Sequence, residues 1–309
     1  MSSIESSLVE YILAELKSIP PAKLESALKD AAEDIEGLKH GIDPDYNFNY
    51  TPHVYLMKYF LENVYCNYLA WFLIYQNGLL PSKINILDIA AGPGTVAFGL
   101  ASLLNTASSF FSVEPMHISY YSLEKQKSFQ YRGLQFWRQY IEGQEMPTNA
   151  YFRFDTTDIF NYDGEVKKLP RSFFDFIVIS HCFFSDPVQR KKSYEVYKQI
   201  FREGLKSDGY VLIIVQGTKL FKAYNLRPTD DLTQEMNLIR EVVKELGLKL
   251  EWFKYLTSTG TRGYIESFYQ FAKENLPRQK HMSKLKRQYL GLKYDSNYAI
   301  DDYVILAKR

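Results

Sequence analysis

Asp88, Glu114, Asp158 and His181 stand at or just beyond the ends of short apolar runs, the places where a parallel sheet presents side chains to a ligand. The most telling stretch is Ile84 to Gly99, I-N-I-L-D-I-A-A-G-P-G-T-V-A-F-G, in which a strand-like run carries Asp88 and is followed by Gly92-Pro93-Gly94. Two glycines at a strand-to-helix turn let a bulky ligand approach the backbone closely. The same residues fit G-x-G-x-x-A, with the acidic Glu114 roughly twenty positions on, so a dinucleotide is one candidate ligand. Against it, Asp88 would face a pyrophosphate unfavourably but would attract an ammonium group. Glu114, in Phe111-Ser112-Val113-Glu114-Pro115, offers two oxygens to a pair of ribose hydroxyls, or else a carboxylate to the N-terminus of the next helix. Asp155 and Asp158 share a turn that also reads as an N-cap or Asx turn. His181, in Ile179-Ser180-His181-Cys182-Phe183-Phe184, is of the residue type best suited to general-base work near neutral pH. Cys182 beside it reads as a small apolar residue rather than a nucleophile.

The order of an acidic residue, small residues and then G-x-G resembles the cofactor loop of class I S-adenosylmethionine (AdoMet) methyltransferases, with Ala90 where many members carry their first glycine. The resemblance covers about residues 84–256 and the last strand. It implies an α/β protein: a seven-stranded, mostly parallel Rossmann-like methyltransferase sheet with its last strand antiparallel. It also implies AdoMet as cofactor, bound by Asp88, Ala90, Gly92, Gly94 and Ser180, with Glu114 on the ribose. By the same resemblance Asp158 contacts the adenine amino group, Asp155 being the competing assignment, and Ile159 or Phe160 packs on the ring. His181 then faces donor and acceptor, as a general base, a strand cap or a contact to the methionine end. The absence of N/D-P-P-Y/F after the fourth strand argues against amide or exocyclic base nitrogens. The expected reaction is in-line methyl transfer to an O or N atom of a small molecule or peptide, of the kind used in small-molecule biosynthesis. An RNA- or ribosome-associated methyltransferase and a non-catalytic binding or assembly factor are the alternatives.

Positioning these residues requires a sheet and something to cover it. Apolar residues at helical spacing predict helices over residues 4–17, ended by Pro20-Pro21, over 22–39 and over 53–78. Residues 1–80 therefore read as an N-terminal helical cap and 81–309 as the Rossmann-like domain. Strands are expected near 85–90, 109–114, 151–155, 174–180, 210–216, 249–256 and 303–307, with helices over 117–141, 187–206 and 230–246. The aromatic loop of Tyr46, Phe48 and Tyr50, with His53 and Tyr55 beyond it, is placed to cover a site as a substrate-facing lid or to pack as core. The long stretch 257–300 reads as a helical insertion before the last strand. It holds a helix over 264–274 and a basic run of Arg278, Lys280, Lys284, Lys286 and Arg287. That run is either a lid or docking surface for an anionic partner, or a solvated helix face.

Composition narrows the classes. The 309 residues are 46% hydrophobic, enough for a sizeable core, and 37 Lys plus Arg against 36 Asp plus Glu leave no global footprint for nucleic acid. Two separated cysteines, Cys66 and Cys182, give no disulfide framework, no metal-ligand spacing is evident, and no metal is expected. There is no leader-like N-terminus and no membrane-length apolar run, so a cytoplasmic protein with no membrane contact is expected. With 25 Tyr and 21 Phe, either an aromatic pocket or an aromatic core is implied. Oligomeric state is left open.

Overall fold

The computed structural model describes residues 1–17, 19–40, 46, 48–108, 116–144, 148–164, 169–228, 231–258, 274, 278–292 and 297–309. Apolar runs become seven strands: β1 (Lys83–Ile89), β2 (His117–Glu124), β3 (Asn149–Thr156), β4 (Phe174–Ser180), β5 (Leu205–Gln216), β6 (Lys249–Thr257) and β7 (Asp301–Lys308). They form one sheet in the order β3-β2-β1-β4-β5-β7-β6, with β7 antiparallel to both β5 and β6 and the other pairings parallel. Strand β1 lies between β2 and β4, and its side chains alternate between two apolar clusters, Ile84 and Ile86 to one, Leu87 and Ile89 to the other.

One cluster joins that sheet face to the N-terminal helices α1 (Ser2–Leu16), α2 (Pro21–Asp34), α3 (Thr51–Tyr55) and α4 (Leu61–Gln76), and to α5 (Thr95–Ser108) and α6 (Lys127–Tyr140). The other face is covered by α7 (Pro187–Gly204), α8 (Gly217–Ala223) and α9 (Leu232–Glu245). The expected cap is thus helical, although the predicted helix over 53–78 is interrupted by one π turn, Leu56–Phe60. Such turns rotate the residues after them relative to those before, and they gather at functional sites.

Two expectations need correction. The strand expected over 109–114, with Glu114, lies outside the described residues, and the helix predicted over 117–141 opens instead with β2, His117–Glu124. Ile118, Tyr120 and Ser122 alternate inward, a period of two, and only from Lys127 does helical spacing begin. The basic run is a solvated face at Arg278, Lys280, Lys284 and Arg287, but not at Lys286. Helix α10 (Lys280–Leu290) packs against α1 and α2, and Lys286 is buried, donating to Gln279 Oε1 at 3.1 Å. Buried Glu5 of α1 accepts from the first backbone amides of α10, His281 N at 2.7 Å and Met282 N at 2.9 Å, a carboxylate where a helix N-terminus favours one. The predicted helix over 264–274 lies outside the described residues except at 274. Among the described residues no helix is long and apolar enough to cross a membrane.

Candidate active site

A cavity of about 670 Å3 opens where the carboxyl ends of β1, β2 and β4 meet the N-terminal helices, within the roughly 300–1,000 Å3 range of small-molecule sites. Its floor is the turn after β1. Ala90, Gly92 and Gly94 take positive φ of 56°, 52° and 80°. Ala90 therefore adopts, at a steric cost, the conformation for which glycine is the usual residue. Ala91 N donates to Leu123 O at 3.1 Å and Gly94 N to Ala91 O at 2.8 Å, which ties the turn to β2 and starts α5. Gly133 of α6 permits the close approach behind it: a Cβ there would lie 2.1 Å from the Pro93 carbonyl oxygen.

Ribose chemistry was expected of Glu114; the carboxylate at the tip of β2 is Glu124. It is buried, its Oε2 accepts from Gly92 N and its Oε1 from Gln126 N, both at 2.7 Å, and it lines the cavity. Burial raises its pKa against the pull of those amides. Gln130 braces the strand ends, donating to Ser122 Oγ at 3.1 Å and the Asp155 carbonyl at 3.3 Å. Beyond β3, Asp158, Ile159 and Phe160 line the same cavity. Asp158 Oδ1 caps the turn by accepting from Phe160 N at 3.0 Å, and its Oδ2 faces Lys125 Nζ at 3.5 Å. Asp155 accepts from Thr157 Oγ1 at 2.7 Å and is not among the lining residues.

Asp88 does not meet the cavity as expected. It is 1% exposed, its Oδ2 accepts from the Tyr120 hydroxyl, its Oδ1 has no hydrogen-bond partner, and it is absent from the lining. Burial pushes its pKa up to about 8, so it is a carboxylic acid beneath the turn near neutral pH. Gly94 likewise faces Tyr120 rather than the main cavity.

The roof is aromatic. Tyr46 and Tyr55 both meet the Phe129 ring edge-on, with centroids 5.2 and 5.0 Å away, and all three line the cavity with Tyr59. Tyr50 does not; it packs on buried His53, whose pKa burial lowers to about 4. The π turn brings Tyr55, Tyr59, Glu62 and Asn63 to one side, and Asn63 Nδ2 donates to Tyr55 Oη at 3.2 Å.

At the far wall stands a chain of polar groups that the sequence only half revealed. His181, at φ 59° just past β4, is held by its backbone amide on Ile214 O at 2.8 Å. Its Nδ1 lies 3.0 Å from Ser180 Oγ and its Nε2 3.3 Å from Asp302 Oδ1. Ser180 Oγ also accepts from Asn67 Nδ2 of α4 at 3.1 Å. Asp302 pairs with Gln216 in the ladder, at the start of β7. Because β7 runs antiparallel, its first residues reach the edge where the other strands end. The antiparallel last strand was the signal that could have found it.

This is the Rossmann-like methyltransferase fold. No protein-family profile matches the chain, and no curated protein matches it in sequence. Solved structures similar to it include the plantazolicin methyltransferase in complex with SAH (16% identity, 96% of this chain and 99% of that one, TM-score 0.42). A SAM-dependent methyltransferase from Methanosarcina mazei is similar at 16% identity, with 76% and 96% covered and a TM-score of 0.42. A TehB-like SAM-dependent methyltransferase from Corynebacterium glutamicum is similar at 13% identity, with 76% and 84% covered and a TM-score of 0.36.

Proposed function

We propose that the chain is an AdoMet-dependent methyltransferase acting on an O or N atom of a small molecule or peptide. The observation that carries this reading is Glu124. A carboxylate has about four lone-pair sites; the amides of Gly92, Gln126 and Lys125 turn to it from the protein side, and the carboxylate lines the cavity, where vicinal ribose hydroxyls can reach it. Nothing lies within 4 Å of where a Gly92 Cβ would stand, so the turn beside that carboxylate leaves room for a ligand against the backbone. Ile159 and Phe160 supply an apolar slot for a purine ring, with Asp158 Oδ2 at its edge for an exocyclic amine. Ala90 to Gly92 would then pass beside the methionine portion, and Asp88 supports that turn from below instead of touching the ligand. AdoMet supplies a sulfonium methyl that needs no further activation.

The protein's part is alignment, exclusion of water and handling of one proton. Ser180 faces the cavity and can accept the acceptor's proton as it passes its own to His181 Nδ1. The Asp302 carboxylate, 3.3 Å from Nε2, favours the imidazolium that results. Tyr46, Tyr55, Tyr59 and Phe129 would shield the reacting centre, and residues 1–80 serve as the cap that encloses it. Calorimetry tests the reading. AdoMet and its demethylated product should bind one to one, and Glu124→Gln should bind both about ten-fold more weakly, about 1.4 kcal/mol. No binding, or binding of NAD in its place, would overturn it.

A further inference from the structure

Between helix α4 and the sheet edge, Cys66 joins His181 and Asp302. The Cys66 sulfur, a ring nitrogen of His181 and a carboxylate oxygen of Asp302 all lie within 4.8 Å of one another. A thiol, an imidazole and a carboxylate form a donor set of the zinc type. The 3.3 Å between His181 Nε2 and Asp302 Oδ1 equals the separation, about 3.3 Å, of two N/O ligands about 2.0–2.1 Å from a tetrahedral ion. The Cys66 sulfur would need to close by at most about 1.3 Å to complete the set.

A second observation points to a cation. Asp302 is 7% exposed, and its Oδ1 makes no well-aligned hydrogen bond although the His181 ring and the Cys66 thiol stand beside it. A buried carboxylate oxygen so imperfectly partnered is better satisfied by a positive charge. The outer contacts also suit ligation. A metal-bound imidazole normally hydrogen-bonds through its other nitrogen, and Nδ1 here has Ser180 Oγ, itself fixed by Asn67. His181 and Asp302 line the cavity, which leaves the fourth position open toward it.

We propose that Cys66, His181 and Asp302 form a site for a divalent ion of the zinc class, and that occupancy withdraws His181 from proton transfer. Binding replaces the proton on the Cys66 sulfur and the one on His181 Nε2. The first leaves to solvent, and the second moves through solvent to Nδ1. With Nδ1 protonated and donating to Ser180, the imidazole can no longer accept a proton from it. The inhibitory consequence rests on the function proposed above; the metal site does not.

Cobalt(II) titration of the metal-free chain, residues 1–309, tests this without turnover. The expected result is a one-to-one thiolate-to-cobalt charge-transfer band, reversed by zinc. The band should be absent from Cys66→Ala, and cobalt should bind Asp302→Asn at least ten-fold more weakly, with melting curves showing both variants folded. No band in the wild-type protein, or a band that survives in Cys66→Ala, overturns the site. AdoMet binding measured on the same samples separates the two ideas. A protein that binds AdoMet but gives no cobalt band refutes the metal inference alone, and one that gives the band without binding AdoMet refutes the methyltransferase reading alone.

Discussion

Gly133→Ala probes the turn that forms the cavity floor from its hidden side. The added Cβ would lie 2.1 Å from the Pro93 carbonyl oxygen, 2.7 Å from its carbon and 2.9 Å from its Cα, all backbone atoms. Contacts of this kind do not fall below 3.0 Å, so helix α6 and the turn must separate by about 0.9 Å. Overpacking of this severity costs about 3 kcal/mol, of which the better helix propensity of alanine returns about 1 kcal/mol. The net loss, about 2 kcal/mol, lowers Tm by about 3 °C in a chain of this size. The Gly92 amide is also drawn off Glu124 Oε2, now 2.7 Å away, and a weakened hydrogen bond of that kind costs AdoMet about ten-fold in affinity. Scanning fluorimetry and calorimetry read the two effects. A variant with a raised Tm and affinity within two-fold of wild type, the outcome of an ordinary exposed-helix substitution, would refute the reasoning.

Two further outcomes follow from the site. Asp88 has a pKa raised to about 8, so the folded chain keeps its proton while an unfolded chain ionises near 3.8; stability is therefore lost as pH rises from about 4 to 8, by up to about 5 kcal/mol. Asp88→Asn should gain in Tm relative to wild type across that window, with AdoMet affinity reduced less than in Glu124→Gln; a pH-independent difference would show that Asp88 is ionised in the fold. With an acceptor in hand, Ser180→Ala and His181→Gln should each lower kcat by about 100-fold or more while AdoMet affinity stays within about three-fold, and unchanged turnover in both would end the proton-transfer role.

Much of the sheet was legible because its central strands are almost wholly apolar. Ile84 to Ile89, Phe174 to Ile179 and Val211 to Val215 are buried on both faces, and such runs stand out without knowledge of their partners. Strand β2 was not legible: its alternation of Ile118, Tyr120 and Ser122 runs directly into the helical spacing of Phe129, Phe136 and Trp137, and an aromatic-rich stretch blurs the two periods. That single misreading moved the acidic residue of the second strand from Glu124 to Glu114. Asp302 escaped notice for a different reason. It lies far along the chain from His181, and only the reversed direction of β7 brings the two together. The same holds for Asn67 and Cys66, which arrive from a cap helix whose docking no local pattern encodes. Tyr46 and Tyr55 line the cavity and Tyr50 does not, a difference the sequence does not encode because one turn of chain separates a ring that roofs the cavity from one that packs on His53.

The central claim is that the cavity beside Glu124 holds the nucleoside of AdoMet, and the most direct measurement is a crystal structure of the chain with the demethylated cofactor. Both ribose hydroxyls should lie within hydrogen-bond distance of the Glu124 carboxylate, with the purine between Ile159 and Phe160 and the sulfur toward Ser180 and His181. A nucleoside bound elsewhere, or one in this cavity with its ribose away from Glu124, would contradict the account.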